Sequence, residues 1–183
     1  PTKNIIMTIL ESELEDLIFG KIEEGAFDDL IDRGLHLSTN AKYFRQYNFG
    51  SYGIADIVSL SIVKQPDYWE FNLSIYELKK DAIGAKTLCQ AARYAKGAQR
   101  MVDDWNYKHK KKRRIVLNTE IHLIGQSIDG GGFLYLPDLF RQVHIYQYRL
   151  EFDGIYFDCK SGYHLSEEKP FKMPNIKNAI ISF

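Results

Sequence analysis

Apolar residues recur along the chain at two distinct periods, and the alternation between them predicts the elements. Leu10, Leu14, Leu17, Ile18 and Ile22 follow helical spacing, which predicts one helix over 8–33 with Gly34 as its stop. AKYFRQYNF (41–49) then alternates as a strand does, and GSYG closes it with a turn. GIADIVSLSIV (53–63) and YWEFNLSIYELKK (68–80) read as two further strands, joined by a short loop containing KQPD. Helical spacing returns over 86–105, where Ala91, Ala95, Ala98, Met101, Val102 and Trp105 share a face. The small residues on that face suit close approach to a sheet. Arg114–Ile128 is a strand, DGGG (129–132) a turn, and PDLFRQV a short helix with Pro137 in its first turn. Residues 144–165 form two short strands around the hairpin turn Asp153-Gly154. The order α-β-β-β-α-β with a C-terminal β extension predicts an α/β fold. One domain is expected over 1–183, with its core at about 8–128 and the extension at 129–183.

Two of these strands break their own pattern. Phe71, Leu73 and Ile75 place hydrocarbon on one face of the third strand, and Glu77 and Lys79 then continue that face with charge. Asp56 likewise sits among Ile54, Val58, Leu60 and Ile62 on one face of the second strand. If the loop Lys64–Trp69 is symmetric, cross-strand partners sum to 133, and Asp56 faces Glu77. Opposed side chains in a ladder have Cβ atoms roughly 4.5–5.5 Å apart. Two carboxylates that close repel when ionised. Three arrangements relieve them: protonation of one, pairing with a cation such as Lys79, or a bridging metal. Hard oxygen ligands on a rigid scaffold suit Mg²⁺, with Mn²⁺ as the alternative ion. Such a metal would polarise a phosphodiester while Lys79 orients a water.

Composition narrows the classes without choosing among them. The chain has 183 residues, of which 45 % are hydrophobic, enough for a packed core. No apolar run is long enough to span a bilayer, and no basic–apolar–small signal pattern opens these residues. Cys89 and Cys159 have neither metal-ligand spacing nor the number for a disulfide scaffold, so a reducing cytoplasm is the expected setting. The five histidines show no metal spacing. Charges balance at 24 against 24, so a polyanion would have to be held by a local patch. KHKKKRR (108–114) offers one, with six Lys or Arg in seven residues. Lys110, Lys111, Lys112 and Arg113 are the candidate phosphate contacts. Tyr43, Phe44, Tyr47 and Tyr52 are candidates either for stacking on bases or for the core.

With Asp56 and the Glu77-Leu78-Lys79 run in this order, the chain resembles the PD-(D/E)XK nuclease superfamily, which includes restriction endonucleases and RecB-like exonucleases. GIAD (53–56) would supply the aspartate and ELK (77–79) the second carboxylate and the lysine. QAARY (90–94) matches the Gln-x-x-x-Tyr element of the RecB-like branches, and ESELEDLI (11–18) the opening helix. RQYNFGSYGIAD (45–56) has the strand and tight turn that precede the aspartate strand. Ala55 stands where the family name has proline. The resemblance covers residues 8–128. It implies a restriction-endonuclease-like αβββαβ core and a Mg²⁺-dependent deoxyribonuclease of a prokaryotic or phage cytoplasm, with DNA as partner and a homodimer as a further expectation. It also implies that Asp56, Glu77 and the Leu78 carbonyl hold the metal. Lys79 would position the attacking water, and Gln90 and Tyr94 would contact that water, Lys79 or a phosphate. Glu11 would join the site from the first helix, although Thr8-x-x-Glu11 also reads as a capping box and Glu13 lies on the other flank. Two other readings use the same residues. One is a catalytically inactive nuclease-fold module that binds nucleic acid or a protein; the other is a structural protein in which Asp56, Glu77 and Lys79 form an internal ion-pair cluster.

Overall fold

The structure, a computed structural model, describes residues 9–110, 112–129 and 142–160. Six strands form one mixed sheet in sequence order: β1 (Lys42–Asn48), β2 (Ile54–Lys64), β3 (Tyr68–Ile83), β4 (Arg114–Ile128), β5 (Val143–Glu151) and β6 (Gly154–Cys159). The pairs β1–β2, β2–β3 and β5–β6 are antiparallel, and β3–β4 and β4–β5 are parallel. Helices cover both faces, as a sheet with parallel strands requires. Residues 137–141 of the predicted helix PDLFRQV, the glycines of DGGG and the end of the 144–165 segment lie outside the described residues; Val143, placed at the end of that helix, instead begins β5.

The predicted helix 8–33 is two helices, α1 (Glu11–Glu23) and α2 (Phe27–Asp32). Gly25 separates them. Its φ of +74° ends α1 with paired bonds, Gly25 N–H to Ile22 O and Ala26 N–H to Lys21 O, the Schellman pattern. The same pattern recurs at Gly34, the expected stop: its N–H reaches Ile31 O, and Leu35 N–H reaches Leu30 O. Gly34 serves a second purpose, because a Cβ there would lie 2.1 Å from the Phe157 carbonyl oxygen on β6.

Strand alternation divides the core. Leu14, Ile18 and Ile22 of α1 pack with Ile57, Tyr76, Leu78, Ile124, Tyr146 and Tyr148 on one face. On the other face, Val58, Leu73 and Ile75 pack against Tyr94 and Ala98 of α3 (Ala85–Lys108). The small residues of α3 let it sit close. A Cβ on Gly97 would meet Tyr52 at 2.9 Å, and one on Gly53 would meet Tyr94 at 2.8 Å. The β2–β3 register is the symmetric one: every pair from Ile57↔Tyr76 to Lys64↔Trp69 sums to 133. No described helix is long and apolar enough to cross a membrane.

Candidate functional site

Asp56 and Glu77 are the next pair outward in the β2–β3 register, on the α3 face of the sheet, where the apolar strip of Val58, Leu73 and Ile75 ends. Glu77 is fully buried, and burial, then the charge of Asp56, pushes its carboxyl up to about 7. Asp56 is also raised, by burial first, although the Leu78 amide donates to its Oδ2 at 2.8 Å. Lys79 supplies the compensating charge. Its Nζ donates to Glu77 Oε1 at 2.8 Å, to the Leu78 carbonyl at 2.8 Å and to Glu11 Oε1 at 3.2 Å. Burial lowers the Lys79 pKa, but its bond to Glu77 and the nearby carboxylates outweigh this and leave it raised. One atom is left over: Glu77 Oε2 is buried and has no hydrogen-bond partner.

Each sequence candidate now has a position. Asp56, Glu77, Lys79 and Glu11 converge, as does the Leu78 carbonyl. Glu13 turns away and accepts the Leu10 amide at 2.8 Å, so it caps α1 in the place expected of the Thr8–Glu11 box; Thr8 lies outside the described residues. Gln90 does not reach the carboxylates by hydrogen bond. Its Nε2 donates to Tyr94 Oη at 2.7 Å, and Tyr94 is buried, stacked on Phe49 at 6.1 Å, with its hydroxyl pKa raised by burial. Lys110, Lys112 and Arg113 lie around the α3–β4 turn, beside the end of the ladder where Arg114 pairs with Tyr68 and nine positions along it from Glu77↔Leu123, so the fold does not bring them to the carboxylates; Lys110 sits over the Tyr107 ring at 4.5 Å. Lys111 lies outside the described residues. Of the four aromatic candidates, Tyr43 packs on the α1 side of the sheet and Tyr47 and Tyr52 on the α3 side, while Phe44 meets Tyr47 edge-on at 5.8 Å.

Gln46 is a member that sequence reasoning missed. It lies opposite Asp56 in the β1–β2 register, where partners sum to 102. Its Nε2 donates to Glu15 Oε2 at 2.6 Å and, longer, to Asp56 Oδ1 at 3.5 Å. Glu15, buried on α1, also accepts from Arg45. Gln46 has φ +49°, a left-handed conformation that costs a non-glycine residue about 1 kcal/mol or more. The only signal in the sequence is the register of a strand whose turn is irregular.

A second cluster brings together histidines that show no metal spacing in the sequence. Glu120, His122 and His144 each offer a ligand atom, and these atoms all lie within 4.8 Å of one another. His122 and His144 are direct partners in the parallel β4–β5 ladder, and their rings stack at 4.8 Å. His36 stands 6.2 Å from both rings. Burial pushes His122 down to about 4 and lowers His144 as well. This cluster lies on the α1 face, opposite Glu77. No protein-family model matches the chain, and no curated protein or solved structure matches it either.

Proposed function

We propose that the chain is a metal-dependent deoxyribonuclease whose site is built from Asp56, Glu77, Lys79 and Glu11. The observation that carries this reading is the set of oxygens around Lys79. An ammonium held by Glu77, Glu11 and a main-chain carbonyl, beside a buried carboxylate oxygen with no partner, marks a place where a cation is favoured and still under-supplied. A structural ion pair would be expected to satisfy both oxygens of a fully buried carboxylate, because an orphaned one costs stability.

Asp56, Glu77 and the Leu78 carbonyl are an all-oxygen donor set on rigid strands, the chemistry that Mg²⁺ or Mn²⁺ takes. Bound there, the ion would polarise a phosphodiester and lower the pKa of a water. Glu77 must give up its proton to ligate, and Asp56 is held in place by the Leu78 amide. Lys79, with its pKa raised, stays protonated through neutral pH and can orient a water or offset charge on the phosphate. Gln46 is held by Glu15 and stands 3.5 Å from Asp56, between the aspartate and α1. The element order α-β-β-β-α-β and the position of the site on β2 and β3 support a restriction-endonuclease-like core. DNA is favoured as substrate by the exposed Lys110, Lys112 and Arg113, a local basic patch in a chain whose charges balance overall.

Calorimetric titration with Mg²⁺ tests the metal site. Wild type should bind the ion, Glu77→Gln should lose most of that affinity, and Lys79→Ala should keep it, because carboxylates ligate Mg²⁺ and an ammonium does not. Equal binding by wild type and Glu77→Gln would remove Glu77 from the site.

A further inference from the structure

We propose that Glu120, His122 and His144 form a second metal site, for a zinc-class transition ion, that ties β5 to β4 and so fastens the C-terminal hairpin to the sheet. It is independent of the nuclease reading, because it lies on the other face of the sheet and uses different donors.

Three observations converge. The first is placement: His122 and His144 face each other across the β4–β5 ladder, Glu120 is two residues before His122 on the same side of its strand, and all three ligand atoms fall within 4.8 Å. The second is an unmet requirement. His122 is 1 % exposed, and neither of its ring nitrogens has a hydrogen-bond partner. A neutral imidazole always carries one N–H and one lone pair, so at least one unmet acceptor is buried whichever tautomer is present. The nearest anion, Glu120 Oε2, stands 3.6 Å from Nε2, beyond a good hydrogen bond. Burial of a polar ring without a partner is costly, and coordination through the lone pair removes that cost. The third is the donor set. Two imidazoles and a carboxylate suit Zn²⁺ at about 2.0–2.2 Å from each donor, and they are a poor set for Mg²⁺. Glu120 is about half exposed, so it is the ligand that can turn to close the sphere. A fourth position would fall to water or to His36, whose ring lies 6.2 Å from both others.

The simpler alternative is a buried histidine packed as an aromatic ring, since His122 also stacks on Tyr76 at 4.4 Å and on Tyr146 at 5.9 Å. Those stacks satisfy the ring faces and leave the nitrogens at its edge unmet, so they do not distinguish the two cases. His144 stacks on that ring as well, so the distinction lies in the ligand atoms: one each from Glu120, His122 and His144 lies within 4.8 Å of the others, and the Glu120 carboxylate stands 3.6 Å from the His122 Nε2 edge.

The site would matter because β4 and β5 share only five ladder pairs, Ile121↔Val143 to Gly125↔Gln147. A bridge at His122↔His144 pins the second of them. Its expected effect is on stability rather than on cleavage.

The test uses the full chain, freed of any affinity tag and stripped with EDTA, then titrated with Zn²⁺ against a chromophoric chelator. We expect about one equivalent bound with micromolar affinity or tighter, and a rise in Tm on saturation. Glu120→Gln and His144→Asn avoid the fully buried His122, and each should weaken binding by about tenfold or more and abolish the rise in Tm. The double variant Asp56→Asn/Glu77→Gln should bind Zn²⁺ as wild type does. Co²⁺ in place of Zn²⁺ should give d–d bands with no thiolate charge-transfer band. Absence of Zn²⁺ binding by wild type, or unchanged affinity in both Glu120→Gln and His144→Asn, overturns the proposal. So does loss of binding in the Asp56/Glu77 variant, or a thiolate band placing the ion on Cys89 or Cys159.

Discussion

Each face of the sheet buries an ionisable cluster, and the two are buried on opposite terms. On the α3 face, Glu77 is surrounded by charge: Asp56 opposes it, Lys79 pairs with it, and Glu11 shares that lysine. On the α1 face, His122 is surrounded by rings, and the Glu120 carboxylate stands 3.6 Å from its Nε2. The same physical cause, loss of water, pushes the acid up to about 7 and the base down to about 4. Burial therefore favours the neutral form of each. The signs of their pH dependence differ as a result. Glu77 binds more protons folded than unfolded between 4.5 and about 7, so its contribution favours the fold below 4.5 and is lost as pH rises through about 7. His122 binds fewer protons folded, so its contribution is present above 6.5 and is lost as pH falls towards about 4. A site that gives up stability to a buried acid gains a ligand whose charge appears near neutral pH, and this fits a catalytic centre better than a structural one.

The largest effect that separates the clusters should be on cleavage. Glu77→Ala and Lys79→Ala are expected to lower the rate of DNA hydrolysis by about three orders of magnitude or more, while Glu120→Gln leaves it within a few-fold of wild type. Initial rates on one DNA substrate check this. A comparable loss in Glu120→Gln would erase the functional distinction between the faces.

The next effect is on stability in EDTA. Glu77→Gln removes a buried charge and should stabilise the metal-free protein by about 3 kcal/mol at pH 8, with the gain vanishing near pH 4.5. Urea unfolding at the two pH values measures it, and a gain independent of pH would place the strain somewhere other than Glu77. On the opposite face, His122→Phe keeps the ring and removes both orphaned nitrogens. It should gain about 1 kcal/mol in EDTA at pH 7, and more at pH 5 where the unfolded chain takes up the proton. A loss of stability at both pH values would mean that the imidazole has partners after all.

The smallest effect concerns DNA affinity. Neutralising Lys110, Lys111, Lys112 and Arg113 together should weaken binding, and the slope of log K against log salt should fall by about one for each phosphate that is no longer neutralised. An unchanged slope would return the run to a solvated turn.

The α3-face cluster is legible in the sequence because its chemistry is local. Parity puts Glu77 and Lys79 on one side of β3, and the short symmetric loop after Lys64 brings Asp56 opposite Glu77. The break at Gly25 is legible in principle, since a glycine follows Ile22 where the apolar spacing falters, but a lone glycine is a weaker signal than the periodicity around it. Gln46 depends on the register across an irregular turn, in which Gly50 and Gly53 both have positive φ. The histidine cluster is the hardest to see. His122 and His144 meet across parallel strands, and no turn rule fixes the register of a parallel pair. The 21 residues between them give no ligand spacing, and only Glu120-x-His122 is visible as a fragment.

Incubation of the wild-type chain with single-stranded, duplex and branched DNA, in Mg²⁺, in Mn²⁺ and in EDTA, tests the central claim most directly. The site predicts cleavage of at least one of these substrates with either ion, rising with pH as Glu77 ionises through about 7, and none in EDTA. Intact DNA under every condition, from protein that is folded and binds Mg²⁺, would contradict it, as would cleavage that EDTA leaves unchanged.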